Sequence, residues 1–365
     1  MKTRDFALGA AATWLALGSA AFAQAPAAPP APASAEPLDL TVLPPVPKTY
    51  QPRKTSWGEP DFQGAWPIDS LGGLPLQRTV EQGNRVFLTP EEYAEREKRM
   101  ERSRNAAEKE TKANKLGMGN WVEMTGAGRR TSLLIDPSNG RLPELTAEGK
   151  RLRDIGRSSW VKGQTFDWVT DFDSWDRCIT RGFPASMLPF RYNNGIRIFQ
   201  APGVVVIDLE MIHDSRIIPT DGRAFPPGKV TNWMGESRGH WEGNTLVIET
   251  SNIKTGAAPL NMATIGAPPN NVIPMSEKAH VVERLTMTGP DTIIYEMTYS
   301  DPVIWTAPYT VRLNWQRNDK YEFFEYACHE GNVQIRNYIT ASRAQRAKDA
   351  QEAQKAQASK IPAKE

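Results

Sequence analysis

The sequence predicts a mainly β protein, a single antiparallel barrel preceded by a helical arm. Two observations carry this. Between about residues 190 and 340 apolar side chains recur at every second position, and the runs are separated by short turn-forming stretches instead of helical segments. Short antiparallel strands at that spacing favour a closed barrel or sandwich over a parallel α/β sheet. An eight-stranded barrel leaves room for one small ligand.

The elements follow in order. Lys2 and Arg4, an apolar run from Phe6 to Gly18, and Ala21-Phe22-Ala23 form the three parts of a secretory signal over residues 1–23. Its apolar run is too short for a membrane anchor. The expected location is therefore periplasmic or secreted. Cleavage removes Lys2, Arg4 and Asp5 and leaves 42 basic against 41 acidic residues. That balance gives no reason to expect nucleic acid or an anionic membrane as partner, and no later stretch is apolar enough to span a bilayer.

Residues 24–48 are rich in Ala and Pro and read as an extended spacer. The main β-domain is expected over 49–340. Thr89-Pro90-Glu91-Glu92 starts a helix, with Thr as N-cap, Pro at the first position and acids in the first turn. Its continuation to about residue 115 is almost entirely charged, which predicts a solvated arm or a lid. Strands are expected at Phe62–Trp66, Gly195–Gln200, Val204–Ile218, Thr245–Thr250, Ala279–Thr288, Thr292–Ser300, Tyr309–Trp315 and Tyr321–Cys328. Residues 341–365 form a polar tail, either a frayed helix or a disordered segment.

Cys178 and Cys328 are the two cysteines. In an oxidising compartment an even count predicts a disulfide, here closing a loop of about 150 residues.

The run from Asp208 to Arg216 places Glu210, His213, Asp214 and Arg216 inside strand-like sequence. Such groups must reach water or line a cavity, because buried unpaired charge is costly. Strand alternation puts Glu210 and Arg216 on one face and His213 on the other, unless a bulge intervenes.

The blocks Pro60-Asp-Phe-Gln-Gly-Ala-Trp66, Trp175-Asp-Arg-Cys178, Gly239-His-Trp-Glu-Gly-Asn-Thr-Leu-Val247 and Glu325-Tyr-Ala-Cys-His-Glu-Gly-Asn332 resemble a large family of exported, mostly uncharacterised bacterial proteins. The resemblance spans about residues 55–340. It implies a single β-domain and little chemistry. Gly64-Ala65-Trp66 is also similar to the first-strand G-x-W of lipocalin-type barrels.

Histidine is the side chain best suited to proton transfer near neutral pH. His213 with Glu210 and Arg216, and His329 with Glu330 beside the bridge, are the candidate catalytic residues. Arg238, His240, Trp233, Trp241 and Trp175 are candidate ligand contacts, since arginine forks match anions and indole rings stack on planar molecules. No metal-ligand motif is present, nor a G-x-S-x-G elbow, nor a Gly-rich phosphate loop. The reading is a cofactor-independent lyase, isomerase or hydrolase acting on a small aromatic, isoprenoid or sugar-like molecule. The alternatives are a lipocalin-like binder without catalysis and a metal enzyme using His213, His240, His280 and His329. A site shared between the polar run and the segment after Cys328 is the expected location.

Overall fold

The computed structural model describes residues 39–113, 128–159, 163–254 and 275–358. The expected signal, most of the expected spacer and the last residues of the expected tail lie outside them. From Leu40 onward the chain is mainly β, with two antiparallel sheets and three helices. The first sheet holds β1 (Gly64–Ala65), β3 (Ile196–Ala201), β4 (Val204–Leu209) and β5 (Ser215–Pro219) in that order. The second runs β2-β10-β9-β8-β7-β6, from β2 (Leu134–Asp136) through β10 (Tyr309–Gln316), β9 (Thr292–Ser300), β8 (His280–Gly289) and β7 (Thr245–Ser251) to β6 (Glu236–Glu242).

The expected alternation is plain in the second sheet. Val281, Leu285 and Met287 of β8, Ile293, Tyr295, Met297 and Tyr299 of β9, and Val311, Leu313 and Trp315 of β10 all point into the core. Tyr295 stacks on Trp315 at 4.7 Å and Tyr299 on Tyr309 at 5.3 Å between centroids. Ile196, Ile198, Val205 and Ile207 from the first sheet enter the same core. Burying one such side chain stabilises by about 1.5–3 kcal/mol.

The single closed barrel is not formed. Next to β5, β6 approaches closely enough that a Cβ on Gly239 would lie 3.0 Å from Ile218, yet no ladder joins the two strands. Pro219 ends β5 without an N–H donor, and the long connection from Thr220 to Gly235 imposes no hairpin register. At the other junction β1 meets only the turn after β10, where Asn318 N–H donates to Ala65 O at 2.9 Å and Asp319 Oδ1 accepts from Ala65 N–H at 3.1 Å. The outer edge of β10 is already taken by β2.

Three other expectations change. The run from Val204 to Ile218 is a hairpin: Asp208 pairs with Ser215 and Ile207 with Arg216, while 210–214 turn the chain. The five-residue turn shifts the parity, so Arg216 faces inward opposite Ile207 instead of sharing a face with Glu210. Residues 321–328 form no strand but a strap. Conversely, Glu236–Glu242 is a strand although its inward positions are Ser237 and Gly239.

Helix α1 (Pro90–Lys112) opens with a capping box in which Thr89 and Glu92 satisfy each other's backbone N–H. Buried Arg96 pins it by donating to the carbonyls of Gly128 and Arg130. Helix α2 (Ala147–Asp154) is capped by Thr146, and α3 (Gln334–Ala358) runs through most of the expected tail as one continuous, polar helix.

Arg216 joins the two sheets. Its side chain is 1% exposed, and its fork meets the fully buried Glu283 of β8 at 2.9 and 2.5 Å. Tyr295 Oη donates to the same carboxylate at 2.9 Å, while Ser237 and Thr250 accept from Arg216 Nη2. Burial keeps the Tyr295 phenol protonated and therefore a donor. Glu283→Ala leaves an unpaired guanidinium in the core and is expected to cost about 3–5 kcal/mol in urea unfolding, whereas Arg216→Met with Glu283→Leu recovers most of that loss. A loss below about 1 kcal/mol for Glu283→Ala contradicts this assignment.

Candidate functional site

A large cleft lies where the strap meets the turn before β3. Disulfide Cys178–Cys328 joins the two segments, with Cα atoms 5.6 Å apart. The cleft is open, about 800 Å³ in volume, and is walled by Trp175, Tyr192, Tyr326 and Tyr338.

Local chemistry builds each wall. Asp173 accepts from the backbone N–H groups of Trp175 and Asp176 at 2.9 and 2.8 Å, and so winds the turn that presents Trp175 and Cys178. Ser158 Oγ donates to Asp173 at 2.8 Å. Asp176 accepts from Ser159 N–H at 2.9 Å and Ser159 Oγ at 2.6 Å. Asn332 Nδ2 closes the floor against Cys178 Sγ at 3.1 Å. Phe190 sits edge-on between Trp175 and Tyr192, at 5.1 and 4.8 Å, and Tyr192 lies parallel to Tyr326 at 6.5 Å. Tyr338, on the first turns of α3, is held against Phe166 and Phe172.

Glu210 fixes the strap. It is 4% exposed, and its oxygens accept from Gly195 N–H at 2.9 Å, Phe324 N–H at 2.9 Å, Tyr321 Oη at 2.8 Å and Asn193 Nδ2 at 3.0 Å. Gly195 has to be glycine here, since a Cβ would lie 2.6 Å from Glu210 Oε2.

The predicted site residues therefore divide. Trp175 and Glu330 line the cleft. Glu210 stands behind it as a clamp, and exposed His213 sets Nδ1 3.1 Å from the carbonyl of Tyr326. His329 is exposed on the strap and does not line the cleft. Arg216 is removed to the inter-sheet core. Arg238 and Trp233 line a separate cavity between β5 and β6. His240 pairs with Glu242 at 3.3 Å on the surface, and Trp241 packs edge-on against Phe62 at 5.1 Å. Helix α1 contributes nothing to the cleft wall, so it is not its lid. Among the described residues no three His, Cys, Asp or Glu side chains group as metal ligands, and His280 pairs with Glu249 at 3.5 Å. No described helix is long and apolar enough to cross a membrane.

Sequence reasoning missed Asp173, Asp176, Tyr192, Tyr326 and Tyr338. The acid-rich turn directly before Cys178 was the available signal for the first two. Burial, reinforced by the neighbouring Asp176 carboxylate, raises the Asp173 carboxyl to about 6. Below Phe190, burial lowers the Arg181 guanidinium to about 9; its Nη1 donates to Leu188 O at 2.8 Å.

Comparisons with family models, curated proteins and solved structures return no match.

The raised Asp173 makes a signed prediction. The folded protein holds this proton more tightly than the unfolded chain, so between about pH 4 and 6 the native state carries the extra proton and stability falls as pH rises through that window. Asp173→Asn lacks this loss, so its melting temperature relative to wild type is expected to climb from pH 4 to pH 7; a pH-independent difference contradicts the assignment.

Proposed function

We propose that the protein is exported and binds a small sugar-like molecule in the disulfide cleft. The composition of the cleft wall carries this reading. Four aromatic rings stand beside three carboxylates, Asp176, Glu325 and Glu330, and the side-chain amides of Asn193, Asn332 and Gln334, with no Lys or Arg among the described residues of the lining. Flat rings offer apolar faces to a pyranose, while carboxylates and amides accept and donate to its hydroxyls. The volume falls within the range of small-molecule sites. Export is supported by the disulfide, which persists in oxidising compartments, and the family likeness of the sequence blocks belongs to the same proposal.

A second reading, hydrolysis of such a ligand, rests on one observation: Asp173, buried behind the wall residue Asp176, is raised to about 6, which places a group able to hold or release a proton near neutral pH next to the cleft. In that reading Asp176, which faces the cleft, is the group nearest the substrate, and His213 is a positioning residue that props Tyr326.

Calorimetric titration with a panel of neutral mono- and oligosaccharides tests the proposal. At least one sugar is expected to bind saturably, with Trp175→Ala weakening it at least tenfold, about 1.4 kcal/mol. Equal affinity in the Trp175→Ala protein, or no binding across the panel, contradicts it. If hydrolysis occurs, Asp176→Asn is expected to slow it by about a hundredfold or more while binding persists.

A further inference from the structure

From the unzipped seam between the sheets we infer a second site, one that takes a small planar carboxylate. The seam is tight at one end, where Gly239 abuts Ile218 and Thr220. At the other end β5 and β6 part around a cavity of about 450 Å³. Its charged lining is Arg216, Arg223 and Arg238 against one carboxylate, Glu236, and Trp233 and Met234 supply its apolar wall.

Each cation is committed differently. Arg216, 3% exposed, forms the floor; its fork is engaged by Glu283, but its Nε has no hydrogen-bond partner among the described residues. Arg238 is held in place by its own neighbours: Nε donates to Ala224 O at 3.0 Å, Nη1 to Ser237 O at 2.6 Å, and the Phe225 ring packs 5.1 Å from its carbon Cζ. Its contact with Glu236 is long, 3.5 Å. This fork is thus pre-set but only weakly neutralised. Arg223 is exposed and pairs with Asp221, a partner a ligand carboxylate can replace. Lys254 Nζ lies 4.4 Å from the Trp233 ring centroid and adds a further positive charge at the rim.

Arginine forks match carboxylates in planar, two-point fashion. A cavity of about 450 Å³ has the volume for a small flat ring, and Trp233 shares its lining with the cations that would hold the carboxylate. The disulfide cleft, whose described wall carries Asp176, Glu325 and Glu330, differs from it in charge.

Titration of the full mature chain with benzoate, benzamide and inorganic phosphate, followed by amide chemical shifts, tests this. Benzoate is expected to bind saturably and perturb Arg238 and Trp233, with benzamide at least tenfold weaker and with affinity falling as salt rises. Arg223→Ala and Arg238→Ala are each expected to weaken benzoate at least fivefold. Arg238→Lys, which keeps the charge and loses the fork, serves as the second variant and is expected to weaken it severalfold with the fold intact. Benzamide binding as well as benzoate, affinity unchanged in all three variants, or no saturable binding overturns the assignment. Phosphate matching benzoate overturns the planar-ligand part of it.

Discussion

The Glu210 carboxylate is the constraint on which the functional end of the molecule depends. Four donors from two separate stretches of chain converge on it, two backbone N–H groups, a phenol and a side-chain amide. A buried carboxylate is costly unless it is so satisfied. Satisfied, it fixes the end of β4, the approach to β3 and the strap at Tyr321 and Phe324 relative to each other. The strap then carries Tyr326 to its place opposite Tyr192 and Cys328 to Cys178. Without this clamp the cleft would have only one wall.

The two polar devices of the interior act on different scales. Glu210 binds a loop to a hairpin, whereas Arg216 and Glu283 bind one sheet to the other across the core. A buried ion pair is a weak source of net stability compared with apolar packing, but the loss of either partner is severe. Its position beside the seam gives it a further consequence. Where the two sheets are held by side chains instead of a ladder, a cavity can open between strands without disturbing either sheet.

Much of the fold was legible in the sequence, because β8, β9 and β10 each bury one face and alternate accordingly. β6 was not, since its inward Ser237 and Gly239 serve the Arg216 network and the close approach to Ile218, and neither signals a strand. Residues 321–328 imitate a strand because Tyr321 and Phe323 alternate with charged residues; in the fold Tyr321 serves Glu210 and Phe323 lies under Arg197, 4.0 Å from its guanidinium. The polar run was read as one continuous strand, and its parity was misjudged with it, since a five-residue turn between Leu209 and Ser215 cannot be seen in composition. The bridge was legible from the number and setting of the cysteines, and Trp175 and Glu330 were named with it. Asp173 and Asp176 were not, because acids in a turn read as solvated until their Ser158 and Ser159 partners, some 15 residues earlier, are seen.

If the cleft is a binding site, the strap holds it together. The most direct test is sugar binding by the Cys178→Ser/Cys328→Ser double variant, measured with circular dichroism to follow the sheets. Removing a native bridge costs about 2–5 kcal/mol, so the variant is studied under conditions where the β signal is intact. The sheets are expected to persist while saccharide affinity falls at least tenfold. Unchanged affinity in a folded variant would contradict this.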